Sequence, residues 1–467
     1  MQSLDDVALA IILVTVLLLV GKGIRRVVPL FDRIFLPTSI IAGVLGLTLG
    51  PQIAGKILAG SEALSGGFIP AAVLDVWGQM PRLLISVVFA GLFIGKMLPP
   101  PKRVWYMGGP QAFLGYTISL GQYAVGLFVT LFFLTPFFDV NPLAGVLVEI
   151  SMSGGHGTAA GLAGTFAELE FEAGQDMALG LATVGLIVGV VLGTAFINYA
   201  VRSDAITIAR EEPVENSENF ELTAIQDNEA VETVPTTTTD PLTLHLGLVA
   251  VAIVIGYALL RGLIFIETHS YGPYTGELMR YVPLFPMAMI GGALLQMALM
   301  ASGLAQWVSR DLINRICGTA LDFIIVSAMA TISLSSIGDN WVAFTTLAVA
   351  GIGWVVFCFW ILAPRMLPER WFEKAIGDFG QGTGMAVSGL LLMRVADPHN
   401  RSGAFECFGY KQLPFEPFLG GGLVTALALP LCARFGPGVL LVVFAVGTVL
   451  ATGTGIRLFG ASRKGKS

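Results

Sequence analysis

Two short polar, glycine-rich segments interrupt the apolar runs of this chain and lie about 225 positions apart. They are residues 151–165 (SMSGGHGTAAGLAGT) and residues 377–389 (GDFGQGTGMAVSG). Each is too polar and too rich in glycine to cross a bilayer as a helix. Irregular polar backbone persists at membrane depth only where it is buried in protein or lines a watery cavity. Two such segments, one per half, indicate the substrate site of a secondary transporter.

The composition is that of an integral membrane protein. Hydrophobic residues make up 55% of the chain and charged residues 12%, against about 25% charged residues in soluble domains. Apolar runs near the ~20 residues needed to cross the hydrocarbon number eleven. They lie at about 5–21, 34–50, 83–98, 111–134, 177–201, 242–265, 283–303, 317–337, 341–363, 416–434 and 437–457. We therefore predict an all-α polytopic membrane protein.

The basic residues predict the orientation of these spans. With the N-terminus outside, most of the 26 Lys and Arg residues fall on the cytoplasmic side, as the positive-inside rule requires. The first run has no basic start or cleavage site, so we expect it to be retained as a span. In this topology the two polar segments enter the membrane from opposite sides. The chain then consists of two inverted-topology repeats of about five spans, each with a re-entrant hairpin, plus an extra C-terminal span.

The domain boundaries follow from this pattern. We expect a first repeat at residues 1–202 with its hairpin at 142–166, and a second repeat at 242–436 with its hairpin at 374–396. Residues 437–467 form the extra span and a basic cytoplasmic tail. Residues 203–241 hold ten acidic residues and one arginine, and we expect a disordered cytoplasmic linker there because such a segment buries too little apolar surface to fold.

The hairpins carry the candidate substrate and ion site. Glycine permits a sharp turn and a close approach of backbone to ligand, and the N–H groups that begin a half-helix favour a carboxylate. Free carbonyls at the end of the other half-helix favour a small cation. The candidates are Ser151, Ser153, Gly154, Gly155, His156, Gly157 and Thr158 in the first hairpin and Gly380, Gln381, Gly382, Thr383 and Gly384 in the second. The alternative is a helix-packing seam of small residues.

Single residues in and near the hairpins have competing interpretations. We expect the hydroxyls of Thr158 and Thr383 one residue past each turn. His156 either contacts substrate or shapes the turn as a neutral imidazole. The possible ion or gate residues are Glu149, Asp378, Asp322 and Thr331. Carboxylate oxygen suits a hard cation, but Glu149 and Asp378 could instead be solvated at the hairpin mouths. Asp322 could lie at the interface, and Thr331 could bond within its own helix.

The sequence GGHGTAAG at 154–161, PTSIIAGVLG at 37–46, the opening span and the central linker resemble the sodium/glutamate symporters of bacteria. The resemblance implies Na⁺-coupled import of L-glutamate across the cytoplasmic (inner) membrane by alternating access, with two re-entrant loops meeting at the transport site. It also implies a homodimer, and no cofactor besides Na⁺ as the coupling ion, whose ligands are not assigned. Gly384 stands where the best-known members have a proline.

Other functions compete with glutamate symport. A Na⁺- or H⁺-coupled carrier of di- or tricarboxylates or hydroxycarboxylates would use the same architecture. An enzyme is not expected, because no Ser/His or Asp/Asp arrangement recurs at a plausible spacing. A duplicated inverted site also suits rocking about a fixed centre better than an open channel.

Overall fold

The computed structural model describes residues 4–33, 36–57, 66–96, 100–202, 240–270, 279, 282–367, 369–397 and 401–460. Within these residues there are helices and no strands. The α-helices of five or more residues in the first half are α1 (Leu4–Val27), α2 (Pro29–Arg33), α3 (Thr38–Leu49), α4 (Ala71–Ala90), α5 (Pro101–Val129), α6 (Leu147–Met152), α7 (Gly155–Gly161), α8 (Ala163–Glu168) and α9 (Glu172–Arg202). Those of the second half are α10 (Pro241–His269), α11 (Leu284–Ala301), α12 (Arg310–Thr331), α13 (Leu334–Asp339), α14 (Trp341–Phe357), α15 (Trp371–Ala396), α16 (Ala404–Phe415), α17 (Leu423–Phe435) and α18 (Pro437–Phe459).

Ten helices of the described chain are long and apolar enough to cross a membrane. The all-α membrane class expected from the sequence is therefore confirmed. The count is one fewer than the eleven predicted apolar runs, because the run at 416–434 yields only the 13-residue α17. Its first part is a glycine turn, Gly420–Gly422, with φ of +67° and +105° at the first two positions. Three spans are lengthened by π-helical turns, Pro51–Gly55 after α3, Thr130–Leu134 after α5 and Cys358–Leu362 after α14.

The chain divides into two compact units. The first comprises residues 1–97, 156–179 and 226–339. In it α1 packs on α3, α12 on α3 and α4, and α10 on α11. Close approach of α10 to α11 needs glycine at position 256, where a Cβ would lie 2.5 Å from the Ala288 Cα. One core cluster of this unit consists of Ala10, Val14, Leu17, Ala42, Ile69, Val73, Val76, Trp77, Val326 and Ala330.

The second unit comprises residues 98–155, 180–225 and 340–467. Here α5 packs against α14, α16 and α18, and α15 packs against α16. Its core cluster is largely aromatic at one end, where the rings of Phe196, Phe359, Trp360, Phe372 and Phe379 contact one another. This unit holds both helix interruptions described below.

The predicted acidic linker lies outside the described residues except for its last two positions. There the Asp240 carboxylate accepts hydrogen bonds from the backbone N–H groups of Leu242 (2.8 Å) and Thr243 (3.2 Å), and so caps α10. Aspartate at this position satisfies N–H groups that have no partner within the helix. The sequence therefore marks the start of this span by an ordinary capping signal.

Candidate functional site

The first polar segment is an interrupted helix. α6 ends at Met152, and α7 begins at Gly155, whose φ is +75°. The backbone N–H groups of Ser153 and Gly154 both donate to the carbonyl of Glu149, at 3.1 and 2.9 Å. A positive φ is a conformation that glycine adopts without the steric cost of a Cβ. The sequence GG at 154–155 therefore places the interruption at this point.

The second polar segment is a helical hairpin inside α15. Gly384 (φ −162°, ψ 40°) and Met385 (φ 67°, ψ 172°) have non-helical backbone, and the two arms on either side of them pack on each other. A Cβ on Gly380 would lie 2.7 Å from the Cα of Gly389, so glycine on both arms allows them to touch. Met385 has a backbone conformation that is almost restricted to glycine and costs on the order of 1–3 kcal/mol.

The two interruptions contact each other within the second unit. A Cβ on Gly155 would lie 3.2 Å from the Cβ of Met385. The buried side chain of Gln122, from α5, joins the two segments. Its Oε1 accepts from the Ser153 hydroxyl at 2.6 Å, and its Nε2 donates to the Gly382 carbonyl at 2.6 Å. Ser153 also accepts from the Ser119 hydroxyl at 3.1 Å. Gln122 was not predicted, because one glutamine in a long apolar helix resembles any buried polar group.

The predicted positions of the two threonines, one residue past each turn, are wrong. Thr158 lies three residues after Gly155, within α7, and Thr383 precedes the second interruption, which comes at Gly384–Met385. The hydroxyl of Thr383 donates to carbonyls of its own helix, at 3.0 Å to Phe379 and 3.2 Å to Gly380. The residues of these segments with positive φ, Gly155 and Met385, lie 230 positions apart, five more than the spacing of about 225 between the glycine-rich sequences. The two sequences therefore match in composition but not in the position of the turn.

Glu149 is fully buried, so the alternative of a solvated residue at the hairpin mouth is wrong. Its carboxylate accepts from the Tyr123 hydroxyl, from the Gly420 N–H at 2.9 Å and from the Thr425 hydroxyl at 3.0 Å. A buried carboxylate needs such donors because an unpaired charge is very costly away from water. The glycine turn at 420–422 is thus bound to the helix that precedes the first interruption. The sequence GGG at 420–422, just before an apolar run, could have indicated this turn.

Asp378 is buried as well, and the solvated interpretation fails for it too. Its carboxylate forms an ion pair with the ammonium of Lys411, from α16, and accepts from Gln111 Nε2 at 3.1 Å. Lys411 also donates to Gln381 Oε1 at 2.6 Å. Gln381 and Gln412 exchange amide hydrogen bonds of 3.1 Å in both directions. No sequence pattern indicated this cluster, since Lys411 follows the second hairpin in a separate helix, α16.

Ser151 differs from its neighbours because its buried hydroxyl has no hydrogen-bond partner among the described residues. Most buried side-chain polar atoms have a partner. Ser151 lies in α6, two residues before the first interruption. Its hydroxyl is free to bond a polar ligand.

The remaining predicted residues belong to the first unit. His156 and Thr158 are buried there, each 1% exposed. A Cβ on Gly157 would be 3.2 Å from Ile85 Cδ1 and 3.3 Å from Leu321 Cδ1, which is a packing position. Asp322 is exposed. The hydroxyl of Thr331 donates to the carbonyls of Ser327 and Ala328 on its own helix, at 2.9 and 3.2 Å, which favours its structural interpretation.

These features define a multi-pass membrane protein with two interrupted helices in contact at buried polar groups. The sequence model of the sodium/glutamate symporter family matches residues 112–369, more than half of the chain. The chain therefore belongs to the sodium/glutamate symporter family, and the resemblance noted in the sequence is confirmed. The match includes the first interruption and ends just before α15. No curated protein matches the chain.

Proposed function

We propose that this protein imports L-glutamate, or a closely similar acidic amino acid, by Na⁺-coupled symport and alternating access. The observation that carries the proposal is the contact between the two interrupted segments, through Gly155 and Met385 and through Gln122, in a chain of this family. Interrupted helices at the centre of a transporter expose N–H and carbonyl groups that bind an anionic solute and its coupling cation.

The chemistry of the site fits an amino acid with a negative side chain. The second arm of α15 begins at the interruption, and its first N–H groups carry the positive end of the helix dipole, which favours a carboxylate. The unpartnered Ser151 hydroxyl offers a further hydrogen bond near the first interruption. Carbonyl groups at the end of α6 suit Na⁺, a hard cation that prefers oxygen. Few charged side chains are needed for either ligand.

Glu149 has a positioning role in this proposal. Its two oxygens accept three hydrogen bonds, which tie Tyr123, Gly420 and Thr425 to the helix that ends at the first interruption. A carboxylate accepts but cannot donate, so this set of donors matches its charged form. We propose that Glu149 holds the glycine turn at 420–422 against the site and does not itself bind and release the transported ion.

The proposal includes two inverted repeats, a homodimer and a location in the bacterial inner membrane, with the N-terminus outside and the linker and C-terminus in the cytoplasm. The distribution of Lys and Arg supports this orientation. A cysteine-free variant with Ile225→Cys should resist a membrane-impermeant thiol reagent in intact cells. The matched control, Asp139→Cys, should be labelled because Asp139 is exposed on the predicted outer side. Rapid labelling of position 225 would overturn the orientation.

The function is tested by uptake of labelled L-glutamate into proteoliposomes. Accumulation should require an inward Na⁺ gradient and should disappear when choline replaces sodium. Equal accumulation in both media would refute Na⁺ coupling. Unlabelled citrate or malate, added in excess, should compete poorly, whereas strong competition with little glutamate uptake would favour the carboxylate carrier.

A further inference from the structure

A buried lysine lies at the centre of the second hairpin's polar contacts. Lys411 is 1% exposed, and its ammonium contacts Asp378 Oδ1 and Gln381 Oε1. The rings of Phe408 and Phe415 lie 4.9 and 4.5 Å from its Nζ. The ammonium is therefore surrounded by one carboxylate oxygen, one amide oxygen and two aromatic faces.

Glycines of the neighbouring helix α5 leave space for the aliphatic part of the Lys411 side chain and for its backbone. A Cβ on Gly115, in α5, would lie 2.7 Å from Lys411 Cε, and a Cβ on Gly108 would lie 2.7 Å from the Lys411 backbone nitrogen. A larger residue at either position would displace the lysine from its contacts. The cluster thus depends on three elements, α5, α15 and α16, all of the second unit.

The oxygen atoms around the ammonium are those that a hard cation prefers. Carboxylate and amide oxygens are typical ligands of such ions in proteins, and Asp378 and Gln381 lie on the first arm of the hairpin, just before its interruption. Glu149, the buried acid beside the other interruption, is satisfied by neutral donors instead. The two buried acids are therefore stabilised differently, Asp378 by an ion pair and Glu149 by hydrogen bonds from neutral groups.

We propose that Lys411 is a built-in counter-ion, whose ammonium stands where a solution cation would otherwise bind Asp378 and Gln381. The inference rests on the proposed Na⁺-coupled function. It assigns the second hairpin no sodium ion at Asp378, because the lysine charge is permanently attached and already uses these oxygens. It also makes Lys411 a positioning residue, since the amide of Gln381 is oriented by Lys411 and Gln412 together.

Removing the ammonium should convert the cluster into a sodium site. In Lys411→Met the aliphatic volume is largely kept, and Asp378 becomes a buried carboxylate without its cation, which is strongly unfavourable. In alkaline buffer, where a proton is scarce, sodium should stabilise this variant. A ligand that binds only the folded state raises the melting temperature, and we expect a rise on the order of 5 °C between choline and sodium chloride beyond that of the parent protein.

The purified full chain in detergent is the sample, and sodium itself is the probe. Lys374→Met is the matched control, because it removes a lysine charge from the same hairpin at a partly exposed position. It should show the parent response to sodium. A Lys411→Met variant that responds to sodium no more than the parent would overturn the proposal, since a merely structural lysine would give that result.

A second variant keeps the test decisive if Lys411→Met does not fold. Asp378→Asn with Lys411→Met removes both charges, and replacing a buried ion pair by neutral groups is often tolerated. Its glutamate uptake should keep the steepness of the parent's sodium activation curve. A shallower curve, indicating loss of a sodium ion, would identify Asp378 as an ion ligand and refute the proposal. Absence of Na⁺-driven uptake in the parent protein would instead refute the function, while the melting experiment would still report on Lys411.

Discussion

Gln122 provides the sharpest test of the site, because one side chain hydrogen-bonds both interrupted segments. Replacing it with leucine keeps the approximate volume and removes both bonds, the one from the Ser153 hydroxyl and the one to the Gly382 carbonyl, each 2.6 Å long. The side chain is fully buried, so we expect water to replace these bonds poorly. Gln122→Leu should therefore separate the two segments without altering either of them.

The magnitude follows from the groups left without partners. A buried polar group that loses its partner costs about 1–3 kcal/mol. The Ser153 hydroxyl can turn toward Ser119, from which it now accepts. The free-energy cost of leaving it without Gln122 is therefore at the lower end of this range. The total is about 2–4 kcal/mol. If half of this free energy holds the segments in the binding geometry, the KM for glutamate uptake rises about tenfold.

The chain offers a closely matched control in the other unit. Gln296 is 1% exposed, and it accepts from the Gly95 N–H at 2.8 Å and donates to the Lys96 carbonyl at 2.9 Å. Gln296→Leu should lower the melting temperature by a similar amount and leave the KM for glutamate near that of the parent. Initial uptake rates in proteoliposomes at saturating sodium measure both variants. Equal KM values for the two variants would refute the idea that Gln122 joins the segments for binding.

Three further substitutions test the neighbouring contacts. Gly382→Val should abolish uptake without reducing the amount of protein in the membrane, because a Cβ there lies 2.7 Å from the Ile118 side chain. The control Gly353→Val should transport normally, since no atom lies within 4 Å of a Cβ at that position. Inactivity of both variants would contradict the argument. Glu149→Gln should destabilise the protein by about 1–3 kcal/mol, because an amide NH₂ replaces one accepting oxygen, and this should lower the melting temperature. An unchanged melting temperature would show that the groups that donate to Glu149 have other partners. Met385→Gly should melt at a higher temperature than Met385→Ala, because both variants lose the same side chain and only glycine relieves about 1 kcal/mol of backbone strain; equal melting temperatures would contradict the assigned conformation.

The sequence predicted the features that depend on composition and local pattern. Long apolar runs give spanning helices because lipid cannot satisfy backbone polar groups, and ten such helices are present in the described chain. The pair of glycines at 154–155 located the first interruption because positive φ favours glycine. The exception was the run at 416–434, where three glycines shorten the helix to α17.

The features that depend on tertiary contacts could not be predicted in the same way. The second interruption falls at Gly384–Met385, where a methionine adopts a backbone conformation that its own preference opposes. Only packing of the two arms, as at Gly380 and Gly389, holds it there. Lys411 and Gln122 were missed for a related reason. Their partners lie more than 25 positions away along the chain, and a single polar residue in an apolar helix carries no periodic signal.

The different positions of the two turns have a consequence for exchanging one interrupted segment with the other. A chimera designed by superimposing the glycine-rich strings would be out of register by five residues. On an α-helix that error moves every grafted side chain about 7.5 Å along the axis and rotates it by about 140°. Residues of the proposed site would then point away from the other interrupted segment. A transplant matched on Gly155 and Met385 would keep the side chains facing inward.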